Sequence, residues 1–157
     1  ISMVSRHLPV AVADGDNLSA RGEMLMASTM GAVAFQKGLG VIHSLAHPLS
    51  SVCGVSHGLA NASMMPASLR FNAEAVPERV ARVARLLGAD EATPEGAASA
   101  VEALLDRIGL PKRLRDAGVT PDQLEELVEK AMQDGCHGCN PRECLASDME
   151  TLFKAAL

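Results

Sequence analysis

"GLGVIHSLAHPLSSVCGVSHGLANASMMP", residues 38–66, decides how the rest of the chain is read. It holds three of the five histidines, His43, His47 and His57, in a segment that is otherwise apolar or small. Gly38 and Gly40 close or kink whatever helix precedes it. A helix then runs through "VIHSLAH" and on through "PLSSVC", with Pro48 at most kinking it before Gly54 breaks it. Ser56 is placed to cap the next helix, "HGLANASMMPASLRFN", with Leu59, Met64 and Leu69 towards the buried side and Pro66 as a point of bending. On a helix, residues four apart project from one face, so His43 and His47 share a side and His57 opens the following helix. Two helices can thus aim imidazoles into one cleft.

Outward from this stretch the pattern stays helical. Upstream, Asn17 or Ser19 caps a helix through "ARGEMLMASTMGAVAFQK", after a turn at "ADGDN". Before that turn Ile1, Val4 and Leu8 fall at helical spacing ahead of Pro9, with nothing to cap them, so the sequence reads as the C-terminal piece of a longer polypeptide. Downstream, "PERVARVARLLG" opens on Pro77 and closes on Gly88, and "PEGAASAVEALLDRIG", "PKRLRDAG" and "PDQLEELVEKAMQ" each open on proline. The last helix, "SDMETLFKAAL", offers Ser147 and Glu150 as a capping box. No stretch alternates with a period of two, so the expected fold is all-α, one domain over residues 1–157. Two per cent aromatic residues leave Ala, Leu, Val and Met to build its core.

The balance of charge narrows the partners. A formal net charge of −5, with no cluster of Lys and Arg, argues against nucleic acid and against an anionic membrane surface. No apolar run approaches the roughly 18 residues of a spanning helix, and a cytoplasmic setting is expected. Three of the four cysteines are bunched at Cys136, Cys139 and Cys144, and reduced thiols are the default for a chain of this size.

Imidazole suits Fe, Zn and Ni, and an ion with an open position polarises a substrate oxygen. That is one use for the three histidines. The other is that each ring satisfies a backbone carbonyl in the core, which H-x3-H spacing alone does not distinguish. Gly38, Gly40, Gly54 and Gly58 let backbones approach closely, as a ligand cleft needs. An unrelated alternative is a non-catalytic helical interaction module in which Cys136, Cys139 and Cys144 hold a structural zinc, although C-x2-C-x4-C is not a standard finger spacing.

The stretch "FQKGLGVIHSLAHPLSSVCGVSHGLANASMMP" resembles the signature of the iron-containing, or group III, alcohol dehydrogenases, and "DGCHGCNPRECLASDMETLF" resembles that family's closing D-x-C-H-x-x-N-P-R segment and final helix. The family's enzymes have an N-terminal α/β domain that binds NAD(P) and a C-terminal all-α domain of dehydroquinate-synthase-like fold. This sequence is similar to the second alone. The resemblance implies metal-ligand roles for His43 and His57, and for His47 a place beside nicotinamide and substrate in orientation or proton transfer. Phe35 and Cys136 match positions that line the substrate pocket, with His137 next to it. Ser50 stands where the family commonly has glycine. The family's other two ligands, an Asp and a His, lie upstream of Ile1, as does the glycine-rich domain for NAD or NADP. The implied parent reaction is reversible hydride transfer between an alcohol and NAD(P), with Fe or Zn as the divalent ion. This chain alone is expected to be inactive, and a homo-oligomer is compatible with the reading.

Overall fold

A computed structural model describes all residues 1–157 and contains eight α-helices, four short 3-10 turns and no strand. The helices are α1 (Ser2–Ala13), α2 (Leu18–Ala34), α3 (Val41–Cys53), α4 (His57–Ala73), α5 (Pro77–Leu87), α6 (Pro94–Arg107), α7 (Leu124–Gln133) and α8 (Ala146–Ala156). α3 and α4 lie against each other at the centre, α7 and α8 cover one side of them, and α5 and α6 pack beyond α4. The main core joins Val41, Leu45, Leu49, Met64, Leu114, Leu127, Met149 and Phe153, all at or near zero exposure. A smaller core of Val80, Ala84 and Ala97 holds α5 to α6. Small side chains at these contacts let helix axes come close, which offsets the shortage of aromatic bulk.

The punctuation expected from the sequence is largely where the chain turns. Gly54 and Gly88 adopt left-handed backbone at the ends of α3 and α5, which a Cβ would strain. Asn17 rather than Ser19 caps α2, its side chain accepting from the Ala20 N–H at 3.0 Å. Pro48 and Pro66 sit inside continuous helices. Pro9 does the same in α1, which runs on to Ala13, where the expected turn begins. Proline costs one backbone bond within a helix, and tertiary packing commonly outweighs that.

Three local expectations fail. The last helix begins two residues early: Leu145, not Ser147, is its N-cap residue, and Asp148, not Glu150, reaches back to accept from the Leu145 N–H at 2.9 Å. Ser56 stands at the N-cap of α4 but its side chain makes no capping bond. "PKRLRDAG" yields only the 3-10 turn Leu114–Ala117, because Leu114 is pulled fully into the core and Gly118 turns the chain in left-handed conformation.

The tail crosses back over the start of α3. Gly40 gives α3 no side-chain cap, and Asn140 supplies one from 99 residues downstream, its Oδ1 accepting from the Val41 N–H at 3.2 Å. The Asn140 amide donates to Asn72 Oδ1 and to the Arg142 carbonyl, both at 2.7 Å. Arg142 in turn lies over the Phe71 ring, 3.9 Å from its centroid, and bonds the Phe71 carbonyl and Glu74. The fit is close: a Cβ on Gly38 would stand 2.9 Å from Cys139 Sγ, and Gly38 has a φ of +93°. Two of the glycines noted in the sequence therefore serve the tail's approach, since a Cβ on Gly40 would also come within 3.0 Å of Asn140 Oδ1.

Candidate metal centre

α3 presents His43 and His47 one turn apart, and α4 presents His57 from its first residue, after the bend at Gly54. The three rings form one cluster. Their centroids are 5.7 Å apart for His43 and His47, 5.5 Å for His43 and His57, and 5.4 Å for His47 and His57. The spacing thus brings the three imidazoles side by side from two helices. Burial, and next the neighbouring His57 and His47, push the His43 imidazole below its ordinary value. A ring kept neutral in this way retains the lone pair that a metal ion needs. On His57, Nε2 is 3.0 Å from the Asn61 amide nitrogen, which also donates to the His57 carbonyl at 2.9 Å.

His47 is held differently. Its Nδ1 is 2.6 Å from Asp134 Oδ2. The other carboxylate oxygen, Oδ1, accepts from Ser44 Oγ at 2.9 Å and from the Cys136 N–H at 2.9 Å. Burial alone would raise the Asp134 carboxyl, but bonds from His47, Cys136 and Ser44 outweigh it and hold the group well below the usual carboxylate range. Asp134 is therefore ionised at neutral pH. Ser44 is fully buried and its hydroxyl is spent on Asp134 while accepting from the His137 N–H at 2.8 Å, so it is no nucleophile paired with a histidine base.

The pocket-lining residues expected from the sequence divide. The Phe35 ring meets His43 edge-on at 5.7 Å and is otherwise exposed, a wall at the mouth of the cluster. Cys136 lies beside Asp134, its thiol pushed up to about 11 by burial and then by that carboxylate, so it stays protonated. His137 turns its Nδ1 towards Ser44 at 3.4 Å, beneath the cluster rather than in it. Asp134, Ser44 and Asn61 are contributors that sequence reasoning passed over. Asp134 heads the "DGCHGCNPR" tail, but nothing in the order of residues ties it to a histidine 87 positions away.

The structural-zinc alternative fails on placement. Cys139 is exposed, and Cys144 is buried in the main core with its Sγ near the Arg142 carbonyl. The one group of three or more potential ligand residues whose atoms gather within 4.8 Å is His47, Asp134 and Cys136. A 2.6 Å hydrogen bond already consumes His47 Nδ1 and Asp134 Oδ2, and the Cys136 thiol is not a thiolate. The donor chemistry at His43 and His57 fits a divalent ion better: two imidazoles with centroids 5.5 Å apart, the His43 ring pushed towards its neutral form.

Residues 1–157 match the family model described as the Fe-containing alcohol dehydrogenase family, C-terminal. The 4-hydroxybutyrate dehydrogenase of Cupriavidus necator is 43% identical over 162 residues, covering 96% of this chain and 41% of that protein. The NAD-dependent methanol dehydrogenase of Bacillus methanolicus is 35% identical over 164 residues, covering 100% of this chain and 43% of that one. The solved alcohol dehydrogenase from Oenococcus oeni superposes with a TM-score of 0.94 at 31% identity, over 99% of this chain and 43% of its own. The chain spans less than half the length of the curated relatives it matches.

Proposed function

The chain belongs to the Fe-containing alcohol dehydrogenase family, and from that premise we propose that it is the metal-carrying part of an NAD(P)-linked alcohol dehydrogenase acting on a primary or short-chain alcohol. The observation that supports this most directly is the convergence of His43, His47 and His57 from two helices. His43 and His57 would hold a divalent ion, Fe or Zn, with the rest of its ligands supplied from an N-terminal α/β domain that also binds the dinucleotide. When bound, the ion polarises the substrate oxygen and the nicotinamide accepts or returns hydride. The substrate class rests on relatives named for 4-hydroxybutyrate and methanol.

The chain's own residues do the rest. His47 moves the hydroxyl proton, being the one histidine of the three tethered to a carboxylate. Phe35 and the protonated Cys136 shape the entrance without competing for the ion. Four free thiols and no helix long and apolar enough to cross a membrane accord with a cytoplasmic enzyme.

The test uses the holoenzyme. His43→Ala or His57→Ala should empty the site by mass-spectrometric metal analysis and abolish turnover followed by nicotinamide absorbance. His47→Ala should retain metal while kcat falls by about 10²–10⁴-fold. Equal metal loss in His47→Ala, or full activity in His57→Ala, would overturn these roles.

A further inference from the structure

Asp134 has no part in the reaction so far, yet it is the most tightly held side chain beside the cluster. We propose that Asp134 is a positioning residue for His47, fixing the ring's proton on Nδ1 and so keeping Nε2 as the acceptor for the proton that an alcohol loses on oxidation. The inference rests on the dehydrogenase reading above.

An ionised carboxylate only accepts, so at 2.6 Å from Asp134 Oδ2 the His47 Nδ1 must donate. The neutral ring then has its lone pair on Nε2. Asp134 cannot rotate away, because Oδ1 is fixed by two further donors, the Ser44 hydroxyl and the Cys136 N–H. Ser44 is fixed in turn by the His137 N–H and lies fully buried in α3, one turn before the ring it helps to orient. Nε2 takes up the hydroxyl proton, the ring becomes an imidazolium facing the Asp134 carboxylate, and Nε2 then releases the proton to solvent. No other acid reaches either His47 nitrogen.

Asp134→Asn separates this role from a merely structural one. Asparagine is isosteric, and its carbonyl oxygen can still accept from Ser44 and Cys136, which turns its NH2 towards His47 Nδ1. That arrangement forces Nδ1 to accept and moves the ring's proton to Nε2, the wrong tautomer for a base. In the holoenzyme, Asp134→Asn should lower kcat by about 10–100-fold with metal content and KM near wild type. Adding it to His47→Ala should cost nothing further, since a residue that acts through the ring has nothing left to act on. Nitrogen-15 NMR of the zinc-loaded protein, with the His47 signals assigned by their loss in His47→Ala, should show Nδ1 protonated in wild type and Nε2 protonated in Asp134→Asn. A proton on Nε2 in wild type, or a double variant slower than His47→Ala alone, would overturn the assignment. Absence of alcohol oxidation in the wild-type holoenzyme would instead remove the dehydrogenase reading, and the NMR result would still decide whether Asp134 holds the ring.

Discussion

α2 and α3 are neighbours in sequence and both are rich in apolar residues, but they have opposite fates. Six of the thirteen residues of α3 are buried, among them Val41, Leu45 and Leu49 at zero exposure. Of the seventeen in α2 only Ala20 is, while Leu25, Met26, Met30 and Val33 stand well exposed along it. α3 packs against α4, α7 and the Gly135–Cys139 turn; α2 touches mainly α1 and the short turn that follows it. Helical pattern and burial are separate properties, and only the second places chemistry. His43 and His47 belong to α3, which is held on several sides, and His57 opens the α4 helix packed against it.

Substitutions can break or sharpen that contrast. The largest effect should come from the core that α3 shares with α8. Phe153→Ala removes a fully buried ring and should lower stability by about 3–5 kcal/mol in urea unfolding. A loss under 1 kcal/mol would mean the core does not close around α3. Next comes the tail's hold. Asn140→Ala strips the only side-chain cap from α3 and leaves Asn72 without its partner, for an expected loss of about 1–2 kcal/mol. If unfolding midpoints of the variant and wild type coincide, the clamp is incidental.

Acid provides a smaller and directional test. The carboxyl of Asp134 is lowered in the folded state, so its contribution to stability is complete above its unfolded value, about 4, and is lost as pH falls through the folded one. Wild type should therefore lose stability on acidification below about pH 4 more steeply than Asp134→Asn. Parallel urea midpoints across that window would contradict the bonding described. The smallest effect is expected in α2: Leu25→Gln or Met30→Gln, both on the exposed surface, should shift this chain's stability by no more than about 0.5 kcal/mol. A loss comparable to that of Phe153→Ala would erase the difference between the two helices.

The same contrast explains what could be read in advance. Most helices were legible because glycine closes them or proline opens them, as at Pro77, Gly88 and Pro94, and because no stretch alternates as a strand would. The histidine cluster was legible because H-x3-H is a local spacing and His57 follows one bend later. Asp134 was not, because its pairing with His47 is made by α7 packing on α3, a tertiary fact with no local trace. The start of α8 misled for a local reason instead: Ser147 and Glu150 have the spacing of a capping box, but Leu145 and Asp148 have the same spacing two residues earlier and make the bond. The exposure of α2 also lay outside the pattern, since an apolar stripe does not reveal what covers it.

The reach of Asn140 to Val41 also sets an order of events during biosynthesis. On a ribosome adding about 5–20 residues per second, the 99 residues between them take roughly 5–20 s to appear. Through that interval α3 has been made but its first turn has no cap, and Asp134, which orients His47, is also still to come. The nascent histidine helix must wait for almost the whole chain before its rings can settle, so a translational pause between α4 and α7 would prolong the time during which an apolar, half-finished centre is open to chaperones and proteases.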